Sequence, residues 1–393
     1  MILTYLEAGL VDTANSFVDM LVYTLPIGLV VLCFLAWSSY VRALFLSKVK
    51  WVLLEIKLPK NIYKSPKAME IVLTSLYQAG NPNWYDRYWG GKVRLWSSLE
   101  LVSIGGDVHF FVRITDKIRN TVESHLYSQF PGLEVHEVVD YVYKTDYLRS
   151  GGQELFGVEY KLSKEDPYPI KTYIDYGVDK DPAKEEYRID PMVATLEFLG
   201  SLGQSEQVWM QILVMAAKSR FSKQGKWFEK GDWKEEAKVI VDKIMKRDKE
   251  SRAKELSSSM ASPGERAVAE AVERSVSKLG FDCGIRTLYI APKDKLDTSR
   301  VVSMAGALRQ YNTLHLNGFK GSISTQFDWW EDPLGWKLTK RKRNIFKAYC
   351  ERAFFYPPFE RKPFVLNTEE LATIFHFPGQ VAEVPTFARL ESK

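Results

Sequence analysis

The run Leu21 to Leu46, LVYTLPIGLVVLCFLAWSSYVRALFL, constrains this chain more than any other stretch. It carries no Asp, Glu, Lys or Arg before Arg42. A hydrocarbon core takes roughly 20 apolar residues in helical form, and a helix satisfies its own backbone polar groups without water. Pro26 lies near the start, where a missing N–H costs little. The run predicts a transmembrane helix over residues 21–46. Before it stand Glu7, Asp12 and Asp19 with no Lys or Arg; at its end and beyond come Arg42, Lys48, Lys50, Lys57 and Lys60. Positive charge on the carboxyl side predicts a single pass through the inner membrane, with the N-terminus outside and the bulk of the chain cytoplasmic. A cleaved signal peptide would start basic and end in small residues. A buried core helix rarely keeps one unbroken apolar surface over this length. Residues 1–20 place Leu3, Leu6, Leu10 and Val11 near helical spacing. They read as a short amphipathic segment at the outer surface or as a helical lead-in to the span. The only strongly polar groups in the span before Arg42 are hydroxyls, which argues against a channel or transporter.

At 393 residues the chain is too long for one ordinary core, so the part beyond the helix predicts two domains. Hydrophobic content of 46% and aromatic content of 13% fill such cores and exclude a disordered tether. A net charge of +5 is compatible with an anionic leaflet or nucleic acid as neighbour and proves neither. With three cysteines, no CxxC spacing and five histidines, neither a disulfide framework nor a zinc site is supported.

Beyond the helix, Lys50 to Pro59 alternates as a strand, and Ser65-Pro66 starts a helix with Ser65 as cap. A loop from Gly80 to Gly91 carries Trp84, Tyr85, Tyr88 and Trp89. Strands follow over 93–104 and 108–114, joined by the hairpin signal Gly105-Gly106-Asp107. A helix from Asp116 to Phe130 capped by Thr115, and a strand over 133–142, complete a β-α-β-β-α-β order. The second half repeats it loosely. Runs 155–162 and 170–176 look like strands, Asp190-Pro191 starts a helix, and 205–214 and 281–291 alternate as strands. Residues 299–314 read as a further helix. Between the last two strands lies a Lys/Glu-rich helical insertion, broken around Ser257 to Gly264. The fold class is α+β: an N-terminal transmembrane helix followed by two ferredoxin-like (split βαβ) sandwich domains. Their bounds are 50–145 and 146–320, the second holding the insertion 225–278, with a C-terminal extension over 321–393.

The chemistry-bearing motifs are sparse. There is no GxxxxGK[ST] loop, no HExxH, no GxSxG elbow and no GxGxxG, and Asp107, His109 and His125 form no recognisable catalytic set. No catalytic, cofactor or metal residue is assigned, and no enzyme is expected. The most basic patch is Lys337, Lys340, Arg341, Lys342, Arg343 and Lys347, directly after Trp329-Trp330 and Trp336. Cations interleaved with aromatics can stack on single-stranded nucleic acid or grip an anionic membrane; an exposed linker beside boundary tryptophans gives the same pattern.

Three stretches carry a resemblance: Trp96 to Ile114, Leu279 to Asn312, and Phe364 to Pro378 (FVLNTEELATIFHFP), with the tail Thr386 to Glu391. The LNTEEL-AT-x-FHFPG segment, Leu366 to Gly379, is the most specific. Together they resemble a bacterial family of membrane-anchored proteins, frequent in ultra-small candidate-phylum bacteria. In that family the region lies ahead of, or is encoded beside, an FtsK-like or conjugative DNA-translocase ATPase. The resemblance implies a non-catalytic accessory or scaffold component of a type IV secretion or conjugation-like system. It implies the lipid bilayer and a separate ATPase as partners, with the motor beginning beyond Lys393 in relatives. Asn367 or Thr368 would cap a helix whose first turn holds Glu369 and Glu370, and these two acids become candidate partner contacts. Lys340, Arg341, Lys342, Arg343 and Trp336 are candidate contacts to a partner or nucleic acid. The alternatives are a membrane-tethered structural protein that forms homo-oligomers, and a weak nucleic-acid binder.

Overall fold

The apolar run is helical, and the helix starts well before it: α1 covers Ile2–Ser47 without interruption at Pro26. The N-terminal segment is thus helical and continuous with the apolar run. The computed structural model describes residues 2–59, 64–145, 147, 152–178, 190–217, 220–223, 226–245, 261–326 and 330–378. Residues 257–260 of the predicted break at Ser257 to Gly264, Trp329 and the tail Thr386 to Glu391 lie outside these. The chain divides into two units, Met1–Lys50 with Gly80–Arg94, and Trp51–Ala79 with Leu95–Lys393.

In the first unit, Val22–Ser47 is long and apolar enough to cross a membrane, a property that signal sequences near an N-terminus share. Most of its side chains face outward; Ile27, Val30 and Leu32 are more than half exposed. Residues 80–94 contribute a one-turn helix, Trp84–Tyr88, capped by Asn83, whose Oδ1 accepts the Asp86 N–H at 2.7 Å.

The second unit is built on one antiparallel sheet. Its first half runs β1 (Trp51–Lys57), α2 (Pro66–Thr74), β2 (Ser97–Ile104), β3 (Asp107–Thr115), α3 (Arg119–Gln129) and β4 (Glu134–Glu137). Its second half runs β5 (Gln153–Leu162), α4 (Pro191–Gly200), β6 (Gln207–Ala216), then the hairpin β7 (Arg220–Lys223) and β8 (Lys226–Gly231). Helices α5 (Trp233–Ile244) and α6 (Pro263–Val276) follow, then β9 (Gly280–Pro292), α7 (Thr298–Gly306) and β10 (Phe319–Ser324). The chain finishes with α8 (Trp336–Cys350), β11 (Phe364–Asn367) and α9 (Thr368–Ile374). The strand order is β10-β5-β9-β6-β2-β3-β1-β4, with β11 pairing the start of β9. The halves meet where β2 pairs with β6, from Ser97 opposite Val214 to Ile104 opposite Gln207.

Local chemistry explains most boundaries. Ser65 and Asp190 each cap a helix that opens with proline, where the ring's fixed φ suits the first turn. Gly105 and Gly106 both have positive φ, 64° and 95°, as the tight β2–β3 turn requires. Several expected elements differ. Thr115 makes no side-chain cap; a 3-10 turn at Asp116–Ile118 precedes α3. Strand β4 is four residues long, because Asp140 caps a 3-10 turn at Tyr141–Lys144 where the strand was expected to continue. Residues 170–176 form no strand: Thr172 bonds to Asp175 (N–H to Oδ2, 2.9 Å) three residues on and closes the chain into turns from Tyr173. The helical insertion opens with strand β8, and the helix expected over 299–314 ends at Gly306.

Alternation sends successive strand residues to opposite faces. One face carries Leu54, Ile56, Leu99, Leu101, Phe110 and Ile285 into a core with α2, α3, α4, α7 and α9. The other carries Leu53, Val102, Phe111, Trp209 and Leu288 against Ile345, Phe346 and Tyr349 of α8. Helices α5 and α6 share a small cluster of Ala237, Val241, Ala269 and Val272.

Candidate functional site

The sheet face under α8 buries charge as well as apolar surface. Glu100 of β2 is completely buried. Its Oε1 accepts from Ser98 Oγ (2.6 Å), Gln211 Nε2 (3.0 Å) and Arg352 Nε (2.9 Å). Its Oε2 accepts from Tyr141 Oη (2.8 Å) and Arg352 Nη2 (3.0 Å). Burial alone would push this carboxyl up; the Arg352 charge and these donors outweigh burial and hold it at about 2. Arg352 follows α8 in the left-handed region (φ 52°), an uncommon conformation for a residue with a Cβ. It also donates to Asp140, Nη2 to Oδ1 at 2.9 Å. A carboxylate with every oxygen engaged has no lone pair for substrate, so this cluster fastens α8 and the segment after it to the sheet.

Farther along the same face, Arg286 of β9 is fully buried, and burial lowers its guanidinium to about 10. It donates Nη2–H to Ala353 O at 2.8 Å and lies 3.8 Å from Glu159 Oε1 of β5. Glu159 Oε2 accepts from Arg361 Nε at 3.0 Å. Glu159 and Arg361 stand where two open grooves meet. One, about 840 Å³, follows residues 159–166 and Lys362–Phe364. The other, about 990 Å³, runs between Ser322–Ser324 of β10 and Lys337, Lys340 and Arg341 of α8, with Trp330 and Glu331 at its end. β10 is the terminal strand of the sheet, and Lys320, Gly321 and Ser322 are exposed.

The basic patch is therefore split. Helix α8 buries Ile345, Phe346, Ala348 and Tyr349 and turns its cations away from them. Lys340 is exposed in the groove, and Arg341 lies at its wall, donating Nη1–H to Ser324 O at 3.0 Å. Arg343 is exposed outside that lining. Lys342 is committed to Glu154 of β5. Trp336 is 75% exposed on the first turn of α8. Glu159, Arg361 and Trp330 were not singled out from sequence, and only the clustering of Trp330 with the patch hinted at any of them.

Glu369 and Glu370 are placed differently from the expected partner contacts: both are buried, with every residue of α9. Asn367 caps α9 as predicted, and Glu370 closes a capping box, Oε2 accepting the Asn367 N–H at 2.9 Å. Its Oε1 accepts the Ile170 N–H at 2.9 Å. Glu369 pairs with Lys278 Nζ at 2.8 Å, and Lys278 also reaches Glu70 of α2 at 2.9 Å. Both acids thus lock α9 onto the interior. Burial, opposed by those two backbone N–H groups, pushes Glu370 up to about 8. A folded-state carboxyl above its unfolded range near 4.5 keeps a proton that the unfolded chain releases, so this group's contribution declines as pH rises from about 4.5 to about 8. The expected result is a falling urea midpoint across that window, flatter in Glu370→Gln; equal slopes would contradict it.

His109 and Asp107 do not join His125. His109 Nδ1 meets Glu55 Oε1 at 2.8 Å, and His125 Nδ1 meets Ile71 O at 3.2 Å. Among the described residues no group of His, Cys, Asp and Glu is placed to hold a metal ion. His376 in the FHFP segment is buried, bridging Ala372 O (2.8 Å) and Asp190 (3.1 Å).

These features define an α+β protein that carries an apolar helix of membrane-spanning length and an antiparallel sheet with a grooved, partly basic edge. Residues 45–389 match the family described as Domain of unknown function (DUF8128), and the chain belongs to that family. No curated protein matches it.

Proposed function

We propose that this protein is a single-pass, non-catalytic scaffold of the inner membrane that positions a DNA- or protein-translocating ATPase of the FtsK-like or conjugative type. The observation that carries the reading is the contrast between the two sets of charges. Buried ionisable groups such as Glu100, Arg352 and Glu369 are engaged internally, whereas exposed Lys337, Lys340 and Arg343 gather on α8, the first two facing the open edge of β10. An exposed strand edge flanked by cations suits an acidic extended segment of a protein partner. Each half of the sheet reads as ferredoxin-like, since β4-β1-β3-β2 and β10-β5-β9-β6 are the same antiparallel order. Lys48 and Lys50 after α1 support a cytoplasmic sheet domain.

Nucleic acid suits the groove less well, because the strand edge of β10 offers backbone N–H and C=O groups that an extended polypeptide pairs with and a phosphate chain does not. Self-assembly has one observation in its favour: β10 and β4 leave a strand edge at either end of the sheet path.

Detergent-solubilised protein is expected to co-purify with an ATPase from its native host. Charge reversal at Lys337, Lys340 and Arg343 to Glu is expected to lower that capture about tenfold, roughly 1.4 kcal/mol, with the fold unchanged by circular dichroism. Capture of no ATPase, or capture indifferent to the reversal, would overturn the proposal; a homogeneous ring or filament with no ATPase would assign the edges to self-assembly.

A further inference from the structure

We infer that the aromatic segment Trp84–Trp89 is a second membrane contact, seated in the phospholipid headgroup zone beside α1; this rests on the reading of α1 as a retained membrane span. Trp84, Tyr85 and Trp89 are 68%, 67% and 55% exposed. Rings this large are seldom left to water in such a cluster. They sit against a helix whose own surface suits lipid. The Trp37 indole N–H donates to Tyr88 O at 3.0 Å. Trp37 meets Trp89 edge-on with centroids 5.8 Å apart, and Phe34 meets Tyr88 at 5.4 Å. Gly91 completes the dock: its φ is +63°, and a Cβ there would lie 2.1 Å from Val41 O. Only glycine allows the two backbones to approach so closely, and the approach leaves Val41 6% exposed.

The depth follows from helix geometry. At about 1.5 Å per residue, the stretch from Val22 to Val41 spans roughly 30 Å, the thickness of a hydrocarbon core. Phe34 to Val41 then occupies its last two turns, so the rings docked on Phe34 and Trp37 lie within about 10 Å of its boundary. Trp and Tyr favour that level, with an apolar body toward the chains and a polar tip toward the headgroups. The charges nearby fit the same placement: Arg87, Lys92, Lys48 and Lys50 are exposed, and Lys92 pairs with Asp86 at 3.0 Å. The lipid is the occupant because the rings continue the apolar surface of the span itself. The result is a two-point attachment that fixes the depth and rotation of α1 in the bilayer.

The test uses the full chain carrying Cys33→Ala and Tyr85→Cys, labelled with a nitrobenzoxadiazole probe and reconstituted into phosphatidylcholine–phosphatidylglycerol vesicles. With acyl chains brominated near the headgroup, the probe is expected to emit blue-shifted light and to lose at least half its intensity. Adding Gly91→Val is expected to abolish most of that quenching while the protein stays resistant to alkaline carbonate. Water-like, unquenched emission would overturn the inference. Blue-shifted emission without quenching would place residue 85 inside the protein rather than in lipid and overturn it equally. Quenching that survives Gly91→Val would overturn the dock on α1. Extraction by carbonate would overturn the anchor reading itself, whereas retention with an unquenched probe would overturn only this contact.

Discussion

Replacing Arg352 by alanine is expected to destabilise the sheet domain by about 3–5 kcal/mol, the cost of leaving a buried charge without its partner. Glu100 is completely buried, and Arg352 supplies a counter-charge bonded to both of its oxygens. The pH dependence identifies the cause. In the native protein Glu100 lies near 2 when folded and near 4.5 when unfolded, so its contribution is present above about 4.5 and is lost as pH falls toward 2. Without Arg352 the folded carboxyl moves above its unfolded value and takes up a proton instead, so the gap between variant and native protein narrows on acidification. Urea unfolding followed by near-ultraviolet circular dichroism at pH 7 and pH 5 measures this gap. A constant gap would mean that lost packing, not stranded charge, dominates. Glu100→Gln combined with Arg352→Met is expected to be less destabilising than the sum of the single changes, because it removes both charges together.

Trp209→Ala is expected to cost a similar amount, about 3–5 kcal/mol, by a different route. Trp209 is fully buried on β6, with ring centroids 5.1 Å from Tyr141 and 5.4 Å from Tyr349. Its removal opens a cavity under α8 and takes away the surface that the helix rests on. Amide exchange should therefore rise most in residues 336–350, before the opposite face is affected. Uniform loss of protection across both faces would show that α8 and the sheet open only together.

Where a single segment determined its own conformation, the sequence was legible. Leu21 to Leu46 declares its helix by apolarity alone, Gly105-Gly106 declares a hairpin by backbone freedom, and Ser65-Pro66 and Asp190-Pro191 declare helix starts by capping. Legibility failed where the decisive partner is remote. Glu100 looks like an outward residue of an alternating strand, and the arginine that buries it lies 252 positions later. Glu369 and Glu370 look like solvent-facing acids at a helix start; Lys278, Ile170 and Thr172 bring them inside. Residues 170–176 have strand-like composition, yet their hydrogen bonds go to local turns, to Tyr311 and to Glu369, Glu370 and Thr373 of α9. In the candidate groove, Lys340 and Arg341 were visible as charge, but Glu159 reaches it through pairing of β5 with β9 and β10, and Arg361 through the segment between α8 and β11, which no local pattern encodes.

The seam between β2 and β6 has a mechanical consequence. The two halves share one continuous ladder along the full length of β2, from Ser97–Val214 to Ile104–Gln207. A pull along the strands would load all of these backbone bonds in parallel, so they must fail together. A pull across the strands would peel them apart one after another. Resistance to force in this domain is therefore directional, greatest along the strand axis of its central seam.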